Sequence, residues 1–149
     1  MITVVFYGLD QFLVGDLSMS LEKDLAKLYE VEEDEINFIA PNDMIFHKGV
    51  EQTSWRVIVE VNVPKKLEVL QDQAIDVILH HVKQIAIHVE ILFKYYLQDN
   101  HYLYVNEDYP LYMEEKPEVE LETDYPEDLE EGEGEDEIFT GDIFEGIDH

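Results

Sequence analysis

Trp55-Arg56-Val57-Ile58-Val59-Glu60-Val61-Asn62-Val63-Pro64 is the stretch on which the fold turns. Trp55, Val57, Val59, Val61 and Val63 point one way, and Arg56, Ile58, Glu60 and Asn62 the other, which is the period of a β-strand. Pro64 closes it, because proline has no N–H to give to a ladder. Downstream, Leu67, Leu70, Ala74, Ile78 and Val82 recur at helical spacing and predict a helix from about Leu67 to Lys83. A further strand is expected from Ile85 to Phe93, with Ile85, Ile87, Val89, Ile91 and Phe93 on one face and His88, Glu90 and Leu92 on the other. The Tyr-rich remainder, Lys94 to Met113, suits a C-terminal hairpin.

The same order stands upstream. Ile2 to Gly8 is β-branched and aromatic, as in a strand covered on both faces. Leu13, Leu17, Leu21, Leu25 and Leu28 form one stripe of a helix from about Asp10 to Tyr29. Gly15 costs its first turns roughly 1 kcal/mol relative to alanine, so the helix is expected to firm up after Ser18. Acidic Glu32 to Glu35 marks a turn, Ile36 to Ala40 a second strand, and residues 42–54 a polar loop or ragged hairpin. The body is therefore two strand–helix–strand units offset by about fifty residues. Such units side by side give an α+β, two-layer fold, a four-stranded mixed sheet with two helices on one face. The other sheet face is left uncovered, and its first-unit residues are apolar, so burial against further copies is expected.

The charge is uneven along the chain. Of its 149 residues 46% are hydrophobic, and 36 Asp and Glu against 9 Lys and Arg give a net charge of −27. Seventeen of those acids, with Lys116 as the lone base, follow Met113, interspersed with Pro117, Pro126, Gly132 and Gly134. Residues 1–113 read as the folded domain, and 114–149 as an acidic tail, largely disordered or loosely docked. Two short echoes near its end, Ile138-Phe139 and Ile143-Phe144, are suited either to packing on the body or to docking in a partner's groove.

The negative surface disfavours nucleic acid and anionic membranes as partners. Zero cysteines exclude disulfides, thiolate metal sites and cysteine nucleophiles. No apolar run approaches the ~20 residues of a membrane span, and Met1 to Phe6 lacks a signal peptide's basic residues, so the cytoplasm is the expected location. Phosphate loops, the GxSxG elbow, HExxH and the EF-hand loop are all missing, and no cofactor is expected. His80 and His81 are adjacent on a helix and cannot share a metal as an i, i+4 pair would. His47 and His101 have no partner by spacing, and no metal site is expected. Glu60, Asn62, His88 and Glu90 fall on one sheet face, where repeated copies would bring their charges together.

The body resembles the tautomerase (macrophage migration inhibitory factor-like) superfamily, and within it the uncharacterised bacterial family domain of unknown function 1904. The residues that carry the resemblance are Ile2-Thr3-Val4-Val5-Phe6-Tyr7-Gly8, the leucine-rich helix, Trp55–Val63, Tyr95-Tyr96 and Asn100-His101-Tyr102. The resemblance implies a homotrimer whose uncovered sheet faces line a central channel. It also implies a proton-shuttling proline exposed once Met1 is removed. Position 2 is Ile2, too large for the aminopeptidases that trim methionine, so Met1 is expected to remain as a displaced primary amine. Three readings follow. The first is a non-enzymatic or degenerate oligomer. The second is an enzyme moving a proton on a small keto/enol acid, with the Met1–Ile2 terminus or Glu60 as base and Arg56, the sole arginine, as carboxylate anchor. The third is an acidic module docking a basic protein through its tail. The structural alternative for Arg56 is pairing with Glu60 or Glu90.

Overall fold

A computed structural model of the chain describes residues 1–114. The chain divides into two units, Met1–Tyr104 and Val105–His149. The first carries every helix and strand among the described residues; in the second, Tyr109 N–H turns back to the Asn106 carbonyl at 3.1 Å. The two Ile-Phe pairs, and the tail reading for 115–149, lie outside the described residues.

Strands β1 (Ile2–Tyr7), β2 (Ile36–Ile39), β5 (Arg56–Pro64) and β6 (His88–Tyr96) form one sheet in the order β2-β1-β5-β6. β3 (Phe46–His47) and β4 (Val50–Glu51) make a small separate hairpin inside the polar 42–54 segment. Pairing is parallel within each repeat, Ile2 opposite Ile36 and Arg56 opposite His88. It is antiparallel at the seam, Thr3 opposite Asn62 and Tyr7 opposite Ile58. The two repeats thus lie head to tail.

Helices α1 (Gln11–Tyr29) and α2 (Gln71–Val82) cover one face. Ile2, Val4 and Phe6 of β1 and Val57, Val59, Val61 and Val63 of β5 join Val14, Leu17, Leu21 and Leu25 of α1 and Ala74, Ile78 and Val82 of α2 in a single core. Each of these valines, at or near zero exposure, contributes roughly 1.5–3 kcal/mol by leaving water. No helix or strand of this unit packs on the opposite face. There Val5, itself buried, Tyr7, Ile39, Ile58 and Leu92 share the face with Thr3, Glu60, Asn62, Glu90 and Lys94, so that face is half apolar and half polar. No described helix is long and apolar enough to cross a membrane.

Five local expectations need correction. First, α1 is formed from Gln11, since the Asp10 side chain accepts the Phe12 N–H at 2.8 Å and caps the helix; Gly15 is simply absorbed. Second, Trp55 does not follow its valines into the core. Its N–H bonds the Gln52 carbonyl in a turn, Ser54 before it has φ 61°, and its side chain is 56% exposed. Third, Lys65–Leu70 winds as a 3-10 turn and α2 starts only at Gln71. Fourth, β6 starts at His88 rather than Ile85, because the Ile85 and Ala86 N–H groups still bond the Val82 carbonyl at 3.0 Å as the helix ends. Fifth, residues 94–113 make no hairpin: β6 runs on to Tyr96, and a 3-10 turn at Gln98–Asn100 and the Asn106–Tyr109 turn follow without a further strand.

Candidate functional site

The antiparallel seam decides which residues can meet. With Thr3 opposite Asn62, Met1 lies beside Pro64, while Arg56 starts β5 eight residues away. At ~3.4 Å per residue that separation is roughly 27 Å. Within one chain Met1 and Arg56 therefore occupy opposite ends of the sheet, with Glu60 midway. Ile2 is 1% exposed and belongs to the core.

At the Met1 end, the Tyr96 hydroxyl donates to the Met1 carbonyl, and its ring stacks on His101 with centroids 5.3 Å apart. Beside it opens a cleft of about 290 Å³ lined by Lys65, Lys66, Tyr96, Leu97, Gln98 and Asp99. Burial, and then the negative charge of Glu35, push the Tyr96 phenol above its usual range. The neighbouring Tyr95 hydroxyl donates to Gln71 Oε1; its phenol is raised by burial and then by Glu68 and Asp72. These tyrosines are held neutral, as hydrogen-bond donors. Two adjacent lysines in a chain with nine basic residues were the available sequence signal. Only the seam, however, places them at the N-terminus.

At the other end, Gly8 closes β1 with φ 79°, a conformation favoured only by glycine. A Cβ there would come within 2.7 Å of Ile45 Cδ1 and 2.8 Å of the Arg56 carbonyl oxygen. This close approach brings the hairpin segment against the start of β5. The two enclose a cleft of about 420 Å³ lined by Ile45, Phe46, His47, Gln52, Trp55, Arg56 and His88. The Arg56 guanidinium holds Glu90 at 2.8 Å, both half exposed, and Trp55 meets the His88 ring edge-on at 5.9 Å. Of the two carboxylates available to Arg56, it pairs with Glu90.

Glu60, partly buried, is taken by others: Lys94 Nζ lies 3.3 Å away and Asn62 Nδ2 donates at 3.2 Å. His81 bridges the helices, meeting Asp24 Oδ2 at 2.6 Å and Ser20 Oγ at 3.4 Å, with His80 packed edge-on against it. Among the described residues no three His, Asp or Glu side chains are gathered as metal ligands.

Residues 1–108 match the family model described as Domain of unknown function (DUF1904). The chain belongs to that family. A DUF1904 protein from Sebaldella termitidis superposes with a TM-score of 0.63 at 21% identity, covering 69% of this chain and 95% of that one. A protein of unknown function from Vibrio cholerae gives 0.60 at 22% identity, over 68% and 83% of the two chains. A macrophage migration inhibitory factor-like protein from Entamoeba histolytica gives 0.51 at 10% identity, over 66% and 90%. DUF1904 here is thus a tautomerase-type fold, as the order of elements implies. No curated protein matches the sequence.

Proposed function

We propose that this protein is a homo-oligomeric, degenerate member of the tautomerase fold that does no proline-type proton transfer, with its acidic tail serving solubility or a partner. The observation that carries the reading is Ile2. Where the resemblance puts a catalytic proline, this chain has a β-branched side chain 1% exposed in the core, so the position is committed to packing. The half-apolar sheet face opposite the helices supports assembly, with the trimer the form that the resemblance implies. Light scattering at physiological salt is expected to give a mass near three chains; a clean monomer refutes it. An enol-ketonisation assay is expected to read background, and turnover above background would restore the enzyme reading.

A second reading is favoured by the lysine-lined cleft beside Met1. In it, a small keto/enol acid is held there and the terminal amine is the base. Glu60 and Arg56 enter that chemistry only if another copy brings the far end of its sheet to this one. Loss of activity in Lys65→Ala/Lys66→Ala but not in Arg56→Ala is the expected pattern. Docking of a basic protein to residues 114–149 is tested by pull-down with and without them: a body that keeps every partner removes the tail as the recognition element. We propose the cytoplasm as its location.

A further inference from the structure

We propose that the apolar groove between the Ser54–Trp55 turn and the exit of α2 docks the Ile-Phe segment, residues 138–144, of another copy of the chain. This rests on the assembly reading and names a contact within it. The groove, of about 400 Å³, has Trp55, Ile85, Ala86, Ile87 and Lys83 among its lining. Trp55 and Ile87 are each more than half exposed. Backbone bonds hold them there: the Ile87 N–H donates to the Ser54 carbonyl at 3.1 Å and the His88 N–H to the Trp55 carbonyl at 2.9 Å. The Ser54 N–H in turn donates to the Gly8 carbonyl at 3.0 Å. The walls are therefore fixed before anything binds, which spares an occupant the cost of ordering them.

Two features say what fits. Asp and Glu make up 36 of the chain's 149 residues, yet none lines this groove, and its one charged group is Lys83. It therefore suits an apolar body with negative flanks. Glu135-Asp136-Glu137-Ile138-Phe139-Thr140-Gly141-Asp142-Ile143-Phe144-Glu145, beyond the described residues, has that composition: two aliphatic–aromatic pairs, each preceded by a carboxylate. A phenylalanine ring gains both area and geometry against the indole. The second feature is that groove and segment are different parts of one chain. A contact between them across copies is heterologous, the kind a three-fold ring requires, whereas a self-complementary patch closes a dimer. The trimer thus needs two unlike surfaces, and this pair supplies them.

Trp55, the only tryptophan, reports on the groove. The receptor is the full-length chain carrying Ile138→Ala, Phe139→Ala, Ile143→Ala and Phe144→Ala, so that its own pairs do not compete. A synthetic peptide of residues 135–145, which has no tryptophan, is expected to give a saturable blue shift of the emission. The same peptide with its four Ile and Phe residues replaced by alanine is expected to bind at least about tenfold more weakly. Ile87→Ala in the receptor, a side chain outside the core, is expected to weaken the natural peptide about fivefold or more. Wild-type emission is expected to lie to the blue of the four-alanine variant's and to converge on it when dilution separates the copies. The inference is overturned by no saturable shift, by equal binding of the alanine peptide, or by a wild-type shift that survives dissociation to monomers. Light scattering on the same samples separates it from the assembly reading. A wild-type trimer whose emission matches the variant's refutes the docking alone, and a wild type that is monomeric throughout refutes both.

Discussion

Truncating Ile2 should cost the protein stability, not merely rearrange a terminus. The side chain is 1% exposed and packed in the core that holds Val4, Phe6, Ile36 and Val63. Ile2→Ala removes three carbons there, at about 2–5 kcal/mol for a large-to-small change, and at the first residue of a strand we expect about 3 kcal/mol. Ile2→Val should cost about 1 kcal/mol. Urea unfolding followed by far-UV circular dichroism, at fixed chain concentration so that assembly does not shift the midpoint, measures both. Mass spectrometry of the same samples should find Met1 retained in wild type and removed from Ile2→Ala. Ile2→Pro should likewise lose Met1 and expose a proline, while giving up the same packing. If Ile2→Ala unfolds within about 0.5 kcal/mol of wild type, the residue is a passenger and its commitment to the core no longer explains the missing proline.

Two other predictions concern a phenol and a turn. Burial, and then the neighbouring Tyr95, push the Tyr29 phenol from 10.0 up to about 12. Between those values the unfolded chain loses the proton first, so stability is full below pH 10 and falls by about 2–3 kcal/mol as pH rises to 12. Tyr29→Phe should flatten this alkaline slope in pH-dependent urea unfolding; an unchanged slope refutes the assignment. Gly8→Ala must adopt φ 79° and press on the Arg56 carbonyl, so thermal melting should show a loss of about 2 kcal/mol or more. A melting temperature within error of wild type would mean that β1 and the Ile45 segment separate easily.

Much of the fold was legible because two periods were clean. The alternation Val57-Val59-Val61-Val63 had one buried solution, and the leucine stripe of α1 had one face to bury. Alternation fixes a face, however, and not where a strand begins. Ile85 and Ile87 obey the β6 pattern yet belong to the exit from α2, where backbone hydrogen bonds to Val82 and Ser54 hold them. Trp55 keeps the parity of its valines and still turns out, since its backbone is tied to Gln52 in a turn. The site was harder to read. Arg56, Glu60 and Met1 were each visible as chemistry, but their separation follows from the sense in which the repeats meet. No local pattern encodes that sense. Lys65 and Lys66 came to lie near Met1 only through that seam, and His47 came near Arg56 through the fold of the 45–56 segment, whose local turn ties Arg56 to Gln52.

The seam has one more consequence. Five residue pairs, Thr3–Asn62 to Tyr7–Ile58, join two halves that are each continuous in sequence. The polypeptide therefore carries an internal dimer, its halves tethered by the exposed 41–54 segment. A cut in that tether would leave two fragments with complementary edges, able to find each other again. An uncut copy could lend its first half to a sister's second, so that fragment complementation and exchange of halves share one grammar.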